Sequence, residues 1–183
     1  MEDLGCAFGR FQIFHNGHLE HILWAKDHCK KLIVWITNPD ISIQTNHLSN
    51  TVRWIKENNP FTYNERELMI EAALSENWLT SWKDFEIKPF PIHDPIKIEE
   101  YIPRWTTMYI SALDGQWSEE KIKILSDLLW QVERLPFDQK PIDATTIRTM
   151  IRNGNEDWRI HLPWSVLTYL VTTNLIDKII SLP

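Results

Sequence analysis

Residues 31–37, KLIVWIT, constrain the fold of this chain more than any other stretch. The run is apolar and β-branched, the pattern of a buried strand. It lies between two segments of helical spacing. Upstream, GHLEHILWAKDHC (17–29) places Leu19, Ile22, Leu23 and Ala25 on a helical period. Downstream, TYNERELMIEAALSEN (62–77) opens with Thr62 as N-cap and Glu65 three residues on, the spacing of a capping box. Further strands are expected at 4–9 (LGCAFG), 84–90 (DFEIKPF), 104–111 (RWTTMYIS) and 130–135 (WQVERL). A helix capped by Ser118 is expected at 117–129. The Asn- and Pro-bearing stretch 38–60 reads as loop. Strands alternating with helices predict an α/β fold: a Rossmann-like, doubly wound parallel sheet of about five strands with helices on both faces. In such sheets ligands bind beyond the carboxyl ends of the strands, where the strand order switches.

Length and composition narrow the function. A chain of 183 residues fits one domain, 1–183, with a helical C-terminal portion over about 143–183. The formal charge of −6 and the lack of a basic stripe argue against a nucleic-acid partner. No apolar run reaches membrane-spanning length, and the acidic start MEDLG is unlike a secretory leader. A cytoplasmic protein with Cys6 and Cys29 as reduced thiols is expected. The ten Trp should be mostly core or interface anchors, and a homo-oligomer is expected.

The chemistry concentrates in GRFQIFHNGH, residues 9–18. Gly9 ends the first strand and Gly17 opens the first helix, so the turn between them falls where an α/β sheet places its ligand. Both glycines allow close backbone approach. Arg10, His15 and His18 stand beside a helix N-terminus, itself a natural anion site. Together they suggest a phosphate chain. An isolated HxxH would instead read as surface histidines on a tight turn. A second constellation is PIDATTIRTMIRNG (141–154). Asp143 or Thr145 could cap a helix there, with Arg148 projecting from about its first turn. The Thr145 and Thr146 hydroxyls, the N–H groups and Arg148 would make a second phosphate clamp. By itself this segment would read as a capped helix with exposed arginines.

Together these motifs resemble a known family. GRFQIFHNGH resembles the GRFQPxHxGH signature of HxGH-class nucleotidyltransferases, and IDATTIR (142–148) is similar to their ISxTxIR signature. NPFTYNERELMI (59–70) resembles the NPFTxxERxxMI segment of archaeal-type nicotinamide mononucleotide adenylyltransferases, as does the tail from 150 to 170. The resemblance implies a nucleoside triphosphate, ATP or CTP, bound across both motifs. It also implies in-line attack by an acceptor phosphate on the α-phosphorus. His15, His18 and Arg148 would be catalytic. Gly9, Arg10, Phe11, Gly17, Asp143, Thr145 and Thr146 would bind the nucleotide. Mg2+ would be held mainly by the triphosphate, with no protein cage for it evident.

Several positions depart from that pattern. Ile13 replaces the usual Pro, and Asp143 the usual Ser, leaving open whether this carboxylate caps the helix or faces the metal. The TGN-like turn is replaced by YISALDGQW (109–117), and PFPIHDPIKIEEYIP (89–103) lacks the Asn and Trp that hold nicotinamide. The acceptor is therefore expected among Asp40, His93, Asp94 and Trp117. The resemblance puts ATP and nicotinamide mononucleotide first, making NAD. Cytidylyl or adenylyl transfer to another small phosphate or phosphonate is the alternative, and a non-catalytic nucleotide-binding regulatory domain the second alternative.

Overall fold

The computed structural model describes residues 1–38, 55–90, 102–103, 105–111, 122–123, 125–126, 131–135 and 142–182. Among these residues five strands form one sheet: β1 (Glu2–Gly9), β2 (Cys29–Thr37), β3 (Phe85–Phe90), β4 (Thr107–Ser111) and β5 (Gln131–Leu135). Their spatial order is β3-β2-β1-β4-β5, and every neighbouring pair is parallel. The chain winds outward from β1 to β3, then returns to build β4 and β5 on the other side. The order thus reverses between β1 and β4, the expected place for a ligand. The helices are α1 (Asn16–Asp27), α2 (Tyr63–Glu76), α3 (Ala144–Arg152), α4 (Trp164–Thr172) and α5 (Ile176–Ile180), with 3-10 turns at Lys56–Asn58 and Glu156–His161.

The strand period of two explains the two-sided core. Leu32, Val34 and Ile36 join Ala7 and Tyr109 in one apolar cluster. Ile22 and Ala25 of α1, Met69, Ile70 and Ala73 of α2, and Ile147 of α3 complete it. The alternate residues Ile33 and Trp35 join Cys6, Phe8, Met108 and Ile110 in a second cluster, against Ile102 and Leu125. Within the helix predicted at 117–129, residues 122–123 and 125–126 are helical.

The described tryptophans divide between core and surface. Trp35 and Trp158 are core, but Trp78, Trp82, Trp105 and Trp164 are exposed. Cys6 and Cys29 are buried free thiols. Burial pushes the Cys6 thiol up to about 12 and the Cys29 thiol up to about 11, so neither offers a thiolate at neutral pH. Among the described residues no helix is long and apolar enough to cross a membrane.

The N-terminus of α2 carries the predicted capping box. Glu65 N donates to Thr62 Oγ1 at 3.3 Å, and Thr62 N donates to Glu65 Oε2 at 2.8 Å. These contacts satisfy two N–H groups that the helix leaves unpaired. Thr62→Ala should therefore cost about 1 kcal/mol of stability. Denaturant titration checks it: the midpoint should fall while the slope stays constant. An unmoved midpoint would show that the box contributes nothing.

Candidate active site

The loop leaving β1 has a forced shape. Phe11 adopts a left-handed φ of 54°. Its ring folds back over Gly9, where a Cβ would lie 2.7 Å from it. The room at Gly9 is thus filled by Phe11, a different reason for glycine from the ligand approach expected above. Phe11 is 2% exposed, edge-on to His18 with ring centroids 5.0 Å apart. Its ring lies in the core, so any nucleotide contact at this position passes to its backbone. Ile13, at the usual Pro position, is fully buried, and the Gln12–Ile13 peptide is cis.

The two histidines meet at the start of α1. His15 is the N-cap, and its Nδ1 accepts from Gly17 N at 3.2 Å. That acceptor role leaves Nδ1 bare, so the neutral ring carries its proton on Nε2. His15 is 2% exposed, and the half-buried His18 stacks on it with centroids 3.8 Å apart. The expected placement of both rings beside a helix N-terminus is what the structure shows.

α3 brings the second motif to the same loop. Asp143 is its N-cap, its Oδ1 accepting from Thr146 N at 2.8 Å. The cap is therefore Asp143 and not Thr145, and the Thr146 N–H is already engaged. Arg148 is 1% exposed, so the reading of exposed arginines fails for it. Its Nη1 donates to the Gln12 carbonyl, and Nη2 to Asn58 Oδ1 at 3.0 Å and Thr145 Oγ1 at 3.2 Å. Its Nε, also buried, has no acceptor among the described residues. Burial, aided by nearby Arg152, lowers the guanidinium pKa to about 10. It remains a cation at neutral pH.

Sequence reasoning missed the partners of Arg66. It could be expected to pair with Glu65 or with an acidic group on a strand. The structure shows neither. Arg66 is 0% exposed and, among the described residues, donates only to carbonyls: Arg10 O at 2.8 Å, Thr37 O at 2.8 Å, Asn38 O at 2.8 Å and, from Nε, Thr62 O at 3.2 Å. The signal was present: positions 66, 69, 70, 73 and 74 share the buried face of α2. Gln12 was also missed. Its Nε2 donates to Phe61 O at 2.8 Å and its Oε1 accepts from Phe61 N at 2.9 Å. One loop thus joins all three sequence motifs. Asp40, His93, Asp94 and Trp117 lie outside the described residues.

This arrangement can hold an anion. Arg66 and Arg148 are both buried, and among the described residues no carboxylate accepts from either. Buried cations are ordinarily paired, because desolvation of a lone charge is costly. The sequence model of the cytidylyltransferase-like proteins matches residues 6–150, which span this loop and most of α3.

The chain belongs to the cytidylyltransferase-like family. It is therefore a nucleotidyltransferase by family. A phosphonoformate cytidylyltransferase from Streptomyces viridochromogenes is 30% identical, over 96% of this chain and 94% of the relative. A nicotinamide-nucleotide adenylyltransferase from Sulfolobus acidocaldarius is 30% identical, over 88% of this chain and 85% of the relative. Among solved structures, a bifunctional NMN adenylyltransferase/ADP ribose pyrophosphatase from Francisella tularensis, complexed with AMP and a manganese ion, superposes with a TM-score of 0.64 at 20% identity. The match covers 99% of this chain, which spans about half of that longer one, 52%, and it shows the cytidylyltransferase-like fold.

His18→Ala and Arg148→Ala should each lower turnover about a hundredfold or more, the usual loss of one donor to developing charge. The two should differ in stability. His18 is half-buried, whereas removing Arg148 strips the Gln12 carbonyl and Asn58 of a buried donor. Steady-state kinetics with thermal melts on both variants read this out. Near-normal turnover in both would sink the catalytic assignment.

Proposed function

We propose that the protein moves a nucleoside monophosphate from a nucleoside triphosphate to a small acceptor bearing a phosphate or phosphonate. The observation that carries this reading is a pair of buried guanidiniums, Arg66 and Arg148, without carboxylate partners among the described residues, closing on the loop that bears His15 and His18. The acceptor oxygen attacks the α-phosphorus in line. A new P–O bond forms as the bond to the β-phosphate oxygen breaks, and pyrophosphate leaves with the bonding pair. No covalent enzyme intermediate is needed. Catalysis is then positioning plus charge stabilisation.

In this reading His15 and His18 meet the phosphate chain near its α-phosphorus. His15 has Nε2 as its donor, because Nδ1 is committed to Gly17. Arg10 and Arg148 neutralise phosphate oxygens, the uncommitted Arg148 Nε being a buried donor for one of them. Thr145 seats the far end of the triphosphate, while Gly9, Phe11, Gly17, Asp143 and Thr146 shape the loop and helix ends around it. Among the described residues no three His, Cys, Asp or Glu side chains could jointly hold a metal. A divalent ion, Mg2+ in this proposal, would be held mainly by the triphosphate and would supply positive charge to the phosphate chain. Asp40, His93, Asp94 and Trp117 are proposed to line the acceptor side. The chain is taken to work as one cytoplasmic domain, 1–183, within a homo-oligomer.

The first choice of partners is ATP and nicotinamide mononucleotide, giving NAD, as the names of the archaeal relatives suggest. The second is CTP and a small phosphonate. It is favoured by the cytidylyltransferase relative that covers 96% of this chain, and by the missing Asn and Trp in residues 89–103. The test is pyrophosphate release from each triphosphate against a panel of acceptors, followed by competition between acceptors. Small phosphates or phosphonates should compete with nicotinamide mononucleotide. A site built to hydrogen-bond the nicotinamide group would reject them by as much as about ten-thousandfold. Exclusive use of nicotinamide mononucleotide with ATP would refute the second choice. Absence of release with every pair would refute transfer itself.

A further inference from the structure

We propose that Arg66 is a positioning residue for the triphosphate, acting through the backbone of the loop after β1 and never by touching the ligand. The inference rests on the anion-binding reading above. Arg66 is fully buried and four of its five N–H donors are engaged by backbone carbonyls, so it serves the loop and not the ligand directly. Its guanidinium instead collects carbonyls from both strands that lead to the site. Nη1 holds Arg10 O, just beyond β1, together with Thr37 O at the end of β2. Nη2 holds Asn38 O, one residue further. Nε returns to Thr62 O, at the cap of the helix that carries Arg66.

This geometry has two consequences for an anion. First, parallel strands end with carbonyl oxygens at the ligand side, and each oxygen is a partial negative charge where phosphate must sit. Arg66 engages three of them. Second, the planar fork fixes the relative positions of Arg10 and of the β2 terminus with several bonds at once. Lys could supply the charge but not this geometry, since its donors radiate from one point. Among the described residues no carboxylate cancels the charge of Arg66.

A merely structural arginine would behave differently, and the N-cap of the same helix provides the control. Thr62→Ala weakens α2 without altering the guanidinium, whose bond to Thr62 is to the backbone carbonyl. Arg66→Lys, Arg66→Met and Thr62→Ala are compared with the unmutated protein at 10 °C, the folded fraction being read from circular dichroism. Binding of inorganic pyrophosphate is measured by calorimetry per folded molecule, and KM for the triphosphate by kinetics. Thr62→Ala should bind as the unmutated protein does. Arg66→Lys should bind at least about tenfold more weakly, in the range usual for outer-shell partners, with a matching rise in KM. Arg66→Met should be weaker still. An Arg66→Lys constant within twofold of the unmutated protein overturns this proposal alone. Failure of the unmutated protein to bind pyrophosphate overturns the anion reading as well. If neither Arg66 variant folds at 10 °C, the residue serves folding only and the proposal falls.

Discussion

Backbone carbonyls of the loop after β1 need donors, and two buried guanidiniums supply them. Arg66 takes the carbonyl of Arg10, and Arg148 takes that of Gln12. A buried carbonyl left without a donor costs about 1–3 kcal/mol, so both side chains contribute to holding the loop in this shape. Each arginine in turn dictates where its helix lies. α2 must present Arg66 beneath the ends of β1 and β2. α3 must bring Arg148 to Gln12 of the same loop. The placement of two helices and of the strand ends therefore follows from satisfying a few oxygen atoms.

The supports of these helices are ordered around the same need. The capping box fixes the first turn of α2, next to Arg66. Glu65 of that box also receives Lys178 from α5. Burial raises the Glu65 carboxyl, but hydrogen bonds from Lys178 and Thr62 outweigh it and hold the group below the usual carboxylate range. The end of α2 is tied as well, because Ser165 N of α4 donates to Glu76. The C-terminal helices thus brace α2 at both ends. Asn16 of α1 reaches the Ile160 carbonyl in the same region, and Arg152 of α3 reaches the Ile179 carbonyl in α5.

Much of this was legible in the sequence. The period of KLIVWIT and the helical spacings on either side led to a parallel sheet, which is the fold observed. Thr62 and Glu65 announced their cap because a capping box depends only on local spacing. The meeting of His15 and His18 at a helix N-terminus was legible for the same reason. Arg66 was not read correctly, although its period placed it on the buried face. Its partners are carbonyls, and any residue carries a carbonyl, so no side-chain pattern announces them. Gln12 was hidden likewise, since it pairs with the backbone of Phe61. Asp143 and Thr145 could not be ranked as caps until the backbone showed which oxygen faces Thr146 N. At Gly9 the packing of Phe11 was not legible, because the fold of that ring back over it is a property of three dimensions.

The bond from Arg148 to Gln12 joins residues 136 apart in the chain, whereas Arg66 lies 56 residues from Arg10, and Phe61 49 from Gln12. A chain leaving the ribosome therefore completes these parts at different moments. The Arg66 and Phe61 contacts become available once α2 has emerged. Arg148 follows on the order of ten seconds later at ordinary synthesis rates. Until then the Gln12 carbonyl is without the buried donor that Arg148 brings. All five strands precede α3 in the chain, so the Arg148 tie comes after the last strand has been made. The loop that bears both histidines is thus tied by a residue made 136 positions after it.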